Sequence, residues 1–208
     1  MSLPFIVIEG LDGSGGTTQT RLLASWLEEK GYSVVSTNEP SSGPIGLFIR
    51  EMMVASSPSS KLADNVLPFL FAADRRDHLD RSILPALAAN QVVISDRYYH
   101  SSLAYQSLSV GLPRVADLNR DFRRPDITFF LWLSPEVSFE RVQLRGLPVE
   151  RFETLDRLRT VYESYHTVIG HCKTNGENIV KIDASRSIEE IHAEICTHVD
   201  NLLDHREP

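Results

Sequence analysis

The chain has 208 residues, a formal net charge of −7 and 42% hydrophobic residues. One domain of that size buries roughly 70 to 75% of its unfolded surface and needs no disulfide staple. The acidic balance argues against a nonspecific duplex-DNA binder, which calls for a broad basic surface. No apolar stretch reaches bilayer length and no signal-type segment opens the chain, so a cytoplasmic protein that meets neither membrane nor nucleic acid is expected. Cys172 and Cys196, the two cysteines, read as buried free thiols rather than a disulfide framework. The seven histidines show no zinc-ligand spacing and read as surface or helix-end residues.

In chain order, the apolar run Phe5-Ile6-Val7-Ile8 leads into Gly10-Leu11-Asp12-Gly13-Ser14-Gly15-Gly16-Thr17. A helix-compatible stretch follows over 17–30, with Leu22, Leu23, Trp26 and Leu27 at helical spacing. Strand, glycine turn and helix in that order make a phosphate-binding loop, whose backbone N–H groups and helix N-terminus favour anions. The pattern departs at one position: Gly16 stands where such loops carry the lysine that reaches the terminal phosphates. A dinucleotide fingerprint fits worse, because the glycine order differs.

Short β-branched runs recur at 5–9, 33–37, 92–95, 128–133 and 178–182. Near-continuous apolar strands separated by helical stretches predict a parallel sheet covered on both faces, an α/β fold with its site at the carboxyl ends of the strands. Between residues 61 and 90 two helices are expected, broken or bent near Pro68 and Pro85. Pro135 opens a predicted helix running to Arg145, and residues 186–190 offer a cap for the terminal amphipathic helix. The whole chain reads as a single domain.

Separated motifs then converge. They are the loop with its embedded Asp12, Glu39-Pro40, Ile49-Arg50, Phe71-Ala72-Ala73-Asp74-Arg75, Asp96-Arg97-Tyr98, Ser101-Ser102, Ala104-Tyr105-Gln106, and the arginines from Arg141 to Arg151. Together they resemble the thymidylate kinases, of the P-loop nucleoside monophosphate kinase group, along almost the whole chain. The resemblance implies a three-layer P-loop NTPase fold, a five-stranded parallel sheet with a short lid near 141–153, and transfer from ATP to dTMP with Mg2+, giving dTDP for dTTP synthesis. It also implies a homodimer.

Residue by residue, the resemblance assigns Gly10, Leu11, Asp12, Gly13, Ser14, Gly15, Gly16, Thr17, Thr18 and the adenine-stacking Arg141 to ATP. It assigns Thr17 and Asp96 to the metal. Arg97 and Arg50 would meet the acceptor phosphate, with Glu39 and Pro40 alongside. Phe71 would stack on thymine while Arg75 donates to its ring carbonyl, with Ser102 and Gln106 completing base recognition. Tyr105 would crowd the sugar's 2′ position, and Asp12 would lie near the sugar and the transferring phosphate. Taken without the family, each has a plainer reading: Phe71 in a core stripe, Tyr105 as a buried phenol, Arg50 solvated, Asp96 and Arg97 as a local ion pair.

With Gly13 and Ser14 inside the loop, the chain resembles the class that takes its catalytic arginine from the lid, making Arg145 and Arg151 the candidates. Arginine-finger contributions reach roughly 10³ to 10⁵ in rate, and loss of the loop lysine acts on a comparable scale. Three accounts of Gly16 stay open: a lid arginine or a residue such as Lys173 compensates, the protein is a catalytically impaired nucleotide-binding relative, or the glycine is an introduced change. A kinase for another nucleoside monophosphate is a further alternative. Asn38 and Ser41-Ser42 also depart from the arginine and glycines that flank Glu-Pro in this family.

Overall fold

The computed structural model describes residues 3–54, 63–144 and 154–204. Its sheet contains β1 (Phe5–Gly10), β2 (Val34–Asn38), β3 (Val92–Asp96), β4 (Ile127–Trp132) and β5 (Ile179–Asp183), each within a residue or so of its predicted run. All pairings are parallel and the order is β2-β3-β1-β4-β5. This is the expected α/β P-loop architecture.

The central strand explains the layering. All six residues of β1 are buried, and side chains alternate across a strand. Phe5 and Val7 therefore enter one core, and Ile6 and Ile8 enter the other. The second core is closed by α1 (Gly16–Glu29) and α10 (Ile188–Asp204), through Leu23, Leu27, Ile191, Ile195 and Val199. The first is closed by α3 (Leu67–His78), α5 (Tyr99–Tyr105), α7 (Leu112–Asn119) and α9 (Leu155–Thr174). Each fully buried aliphatic side chain contributes ~1.5–3 kcal/mol. The remaining helices are α2 (Pro44–Val54), α4 (Leu84–Ala88), α6 (Ser107–Val110) and α8 (Pro135–Leu144).

The prolines behave differently from the expected pair of breaks. Pro68 and Pro85 lie in the first turns of α3 and α4, where a missing N–H costs little. Between them the chain continues through a π-helical turn, Leu79–Ile83, closed by the Leu84 N–H on the Leu79 carbonyl. The extra residue of that turn accommodates Pro85 without interrupting the rod.

Register brings the site together. Asn38 lies beside Asp96 and Ile8 lies beside Asp96 from the other side, while Gly10 lies beside Leu131. The loops after β1, β2 and β3 thus open at one carboxyl edge, where ligands of open α/β sheets bind.

Candidate active site

The loop after β1 wraps the head of α1. Gly13 has φ +87°, and a Cβ there would stand 2.6 Å from the Ser138 carbonyl oxygen on α8. Only glycine allows both the backbone angle and that approach. The contact is reinforced by the Ser138 hydroxyl, which donates to the Asp12 carbonyl. No side chain caps α1, so its first N–H groups face the cleft and suit a phosphate.

Gly10, Leu11, Asp12, Gly13, Ser14, Gly15, Gly16, Thr17, Thr18 and Arg141 all line this first cleft, with Asp96 and Arg97. The Thr17 hydroxyl donates to Asp96 Oδ2 at 2.6 Å. A Cβ on Gly16 would lie 2.7 Å from Asp96 Oδ1. The Asp96 carboxylate therefore occupies the direction in which a lysine side chain would leave the backbone. Lys173, offered above as compensation, is exposed near the end of α9 and lines neither this cleft nor the next. Arg186, which the sequence reading did not single out, does line the donor cleft, with its guanidinium on Glu194 and the Asp183 carbonyl.

A second cleft opens beside the first and shares Asp12 and Arg97 with it. Its walls include Asp12, Glu39, Pro40, Arg50, Phe71, Arg75, Arg97, Ser102, Tyr105 and Gln106, every residue predicted for the acceptor, together with Met53, Tyr98 and Ser101. Arg97 does not pair with Asp96. Its guanidinium instead donates to Asp12 at 2.6 Å and to the Ser101 hydroxyl at 3.0 Å. Arg97 has φ +72°, a conformation costing about 1–3 kcal/mol. The Arg97 N–H on the Ile8 carbonyl and the Ser95 hydroxyl on the Arg97 carbonyl hold it there. Burial opposes the guanidinium's charge, but Asp12 and its other neighbours outweigh that and raise its pKa well above the ordinary value.

Tyr105 is buried and donates to Asp12 at 3.0 Å. Burial, then the Asp12 charge, push its pKa far up, so it remains a neutral phenol. Phe71 is half-buried, packed against the core while lining the cleft. Arg50 is exposed and donates to the Pro40 carbonyl.

Arg75 is 1% exposed and almost wholly committed. Its Nε and Nη2 donate to Glu39 at 2.9 and 2.6 Å, Nη2 also reaches the Ser102 hydroxyl at 3.1 Å, and Nη1 donates to the Asn119 side chain. A guanidinium has five N–H donors, so one on Nη1 remains for a ligand. Nearby, the buried Gln106 Oε1 has no hydrogen-bond partner among the described residues. The loop after β2 is held from α3, where Asp74 accepts from the Ser41 N–H and hydroxyl at 2.7 and 2.6 Å. Asn38 Nδ2 donates to the Pro40 carbonyl at 2.9 Å. The two departures flanking Glu-Pro thus fix the loop internally.

Glu9 and Asn119 were also missed by sequence reasoning. Glu9, 1% exposed on β1, accepts from the Tyr98 and Ser101 N–H groups, anchoring the start of α5 and with it Ser101, Ser102 and Tyr105. A lone carboxylate in an apolar strand was a usable signal; Asn119 offered none. The predicted Arg145 and Arg151 lie outside the described residues, and Arg141 donates to the Ala184 carbonyl at 3.3 Å.

The thymidylate kinase family model matches residues 8–195. The chain belongs to the thymidylate kinase family. It is 40% identical over 202 residues to a "Probable thymidylate kinase" of Pyrococcus horikoshii, covering 96% of this chain and 97% of that protein. It is 38% identical over 205 residues to one from Thermococcus kodakarensis, covering 96% and 98%. A "Thymidylate kinase" of Caldicellulosiruptor saccharolyticus is 36% identical over 211 residues, covering 97% and 98%.

Proposed function

We propose that this thymidylate kinase family member transfers the terminal phosphoryl group of ATP to dTMP, yielding ADP and dTDP for dTTP synthesis in the cytoplasm. The observation that carries the reading is the meeting of two clefts at Asp12 and Arg97. One offers an uncapped helix N-terminus for a triphosphate, and the other offers cations and an aromatic wall for a nucleoside monophosphate. In the second, Arg97 and Arg50 receive the acceptor phosphate, Phe71 stacks on the base, and the remaining Arg75 N–H meets a ring carbonyl. The buried Gln106 Oε1 accepts the thymine imide N–H, with Ser102 beside it. Tyr105 and Asp12 bound the sugar side.

Thr17 and Asp96 offer hard oxygen donors 2.6 Å apart at the donor cleft, a set that fits Mg2+. When bound, Mg2+ supplies neutralisation of the donor phosphates' charge. The protein's own contribution is orientation: Asp12 and Tyr105 hold Arg97 and the acceptor in place, and Ser138 ties α8 to the loop. The whole chain acts as one kinase unit, with the P-loop at 10–17 and a lid near 141–153 whose Arg145 and Arg151 supply positive charge to the transferring group. The unit pairs as a homodimer.

The test is ADP release with ATP, Mg2+ and dTMP, corrected by an ATP-only control and repeated with dUMP, dCMP and dGMP. Turnover that depends on dTMP and falls with the other acceptors is expected. No turnover while both nucleotides bind would overturn the proposal and leave a nucleotide-binding protein.

A further inference from the structure

Away from both clefts, a histidine from α5 meets a cysteine and a glutamate that lie close together in sequence between the end of α9 and β5. His100 lies in the first turn of α5, Cys172 in the last turn of α9, and Glu177 just before β5. One ligand atom from each lies within 4.8 Å of the others. His100 Nε2 is 2.8 Å from Glu177 Oε2, and the Tyr99 hydroxyl donates to the same oxygen at 2.8 Å. The His100 and Glu177 side chains are 2% and 10% exposed, and Cys172 is fully buried.

We propose that His100, Cys172 and Glu177 bind a borderline divalent transition ion of the Zn2+ class. The donor set selects the metal: one sulfur, one imidazole nitrogen and one carboxylate oxygen suit Zn2+ or Co2+, whereas Mg2+ prefers oxygen alone. Three protein ligands leave a fourth position. Tyr99 and Glu177 also border a cavity of about 360 Å³, which Asn175 and His171 help to line and which has room for that fourth ligand. Glu9 Oε1 stands 4.0 Å from His100 Nδ1, which has no hydrogen-bond partner among the described residues. That carboxylate is placed to orient the imidazole once Nε2 turns to a metal.

A thiol ligates a metal only after losing its proton. Burial and the adjacent Glu177 carboxylate push the Cys172 thiol far up, so it is protonated. Burial raises Glu177, but contacts from His100 and Tyr99 outweigh it and keep the carboxyl below its ordinary range. Binding forms a metal–thiolate bond and releases the Cys172 proton to solvent. The two negative ligands then offset the divalent charge. An ion here would join the start of α5, which carries Ser101, Ser102 and Tyr105, to the end of α9.

The experiment titrates the chelator-stripped, reduced full chain with Co2+ and reads absorbance. A thiolate-to-cobalt charge-transfer band saturating at one ion per chain is expected, bleached by Zn2+ and accompanied by proton release in weak buffer. Cys172→Ser should abolish the band. Cys196→Ser should retain it, excluding the separate Cys196–His192 contact at 3.5 Å on α10 as its source. Glu177→Gln keeps the thiol and should weaken Co2+ binding by about tenfold or more, a result that stands even where Cys172→Ser folds poorly by circular dichroism. No band, a band that survives in folded Cys172→Ser, or unchanged affinity in Glu177→Gln would overturn the site.

Discussion

Asn119 fixes the direction of the Arg75 guanidinium by taking one Nη1 proton, and Arg75 lines the acceptor cleft with the other Nη1 proton uncommitted. Asn119→Ala leaves a buried donor unpaired at a cost of about 1–3 kcal/mol. Steady-state kinetics should show kcat/KM for dTMP falling about 5- to 150-fold, with KM for ATP unchanged; equal losses for both substrates would show a global defect instead. Gly16 is a different case, because Asp96 already stands where the lysine would begin. Gly16→Ala introduces the collision without charge and should slow transfer by displacing Asp96 from Thr17. Gly16→Lys carries the same collision together with the missing ammonium, and should exceed Gly16→Ala by about 10²-fold in kcat. Equal rates for the two variants would mean that other cations already fill the role. The loop residues 10–17, Glu39-Pro40 and Asp96-Arg97 were legible as short motifs directly after β1, β2 and β3, whereas Arg50, Phe71, Arg75 and Tyr105 lie within helices and were readable only through the family resemblance. Asn119, at the far end of α7, and Arg186, after β5, act through folding of distant segments and carry no local signature.

At the scale of elements, the strands were legible because β1, β3 and β4 are short, β-branched or aromatic apolar runs bounded by glycine, polar or proline residues, a length and composition that suit strands buried on both faces. The passage from α3 to α4 was less legible, since a π-helical turn depends on how Leu79 and Ile83 seat in the core rather than on the prolines alone. The start of α10 was readable as a cap. Ser187 Oγ accepts from the Glu190 N–H at 3.2 Å, while Glu190 accepts from the Ser187 N–H at 3.0 Å, a reciprocal capping box. Ser187→Ala should cost about 1 kcal/mol, read as an earlier midpoint in urea unfolding. The Ser187 side-chain hydrogen bond, then its backbone one, hold the Glu190 carboxyl below its ordinary 4.5. A depressed carboxyl stabilises the fold above its unfolded pKa and loses that contribution as pH falls through its folded value. The gap between wild type and Ser187→Ala should therefore narrow on acidification below about pH 4.5; a gap that widens in acid would place the effect elsewhere.

At the scale of the molecule, the distribution of exposed apolar side chains bears on the proposed dimer. Leu47 and Phe48 on α2 are 57% and 43% exposed, and Val66 and Phe69 at the start of α3 are 40% and 47% exposed. The two helices pack together, so these exposed apolar groups sit on neighbouring elements, while a net charge of −7 otherwise favours separation. The same helices carry Arg50 and Met53, and Phe71 and Arg75, on the acceptor cleft. Association through these two helices would hold the acceptor wall as well as cover exposed apolar groups. Phe48→Glu combined with Phe69→Glu should convert a dimer to a monomer in sedimentation velocity and raise KM for dTMP several-fold, with ATP binding unaffected. A wild-type chain that sediments as a monomer at micromolar concentration would remove the dimer, and a monomeric double variant with unaltered KM would separate assembly from acceptor binding.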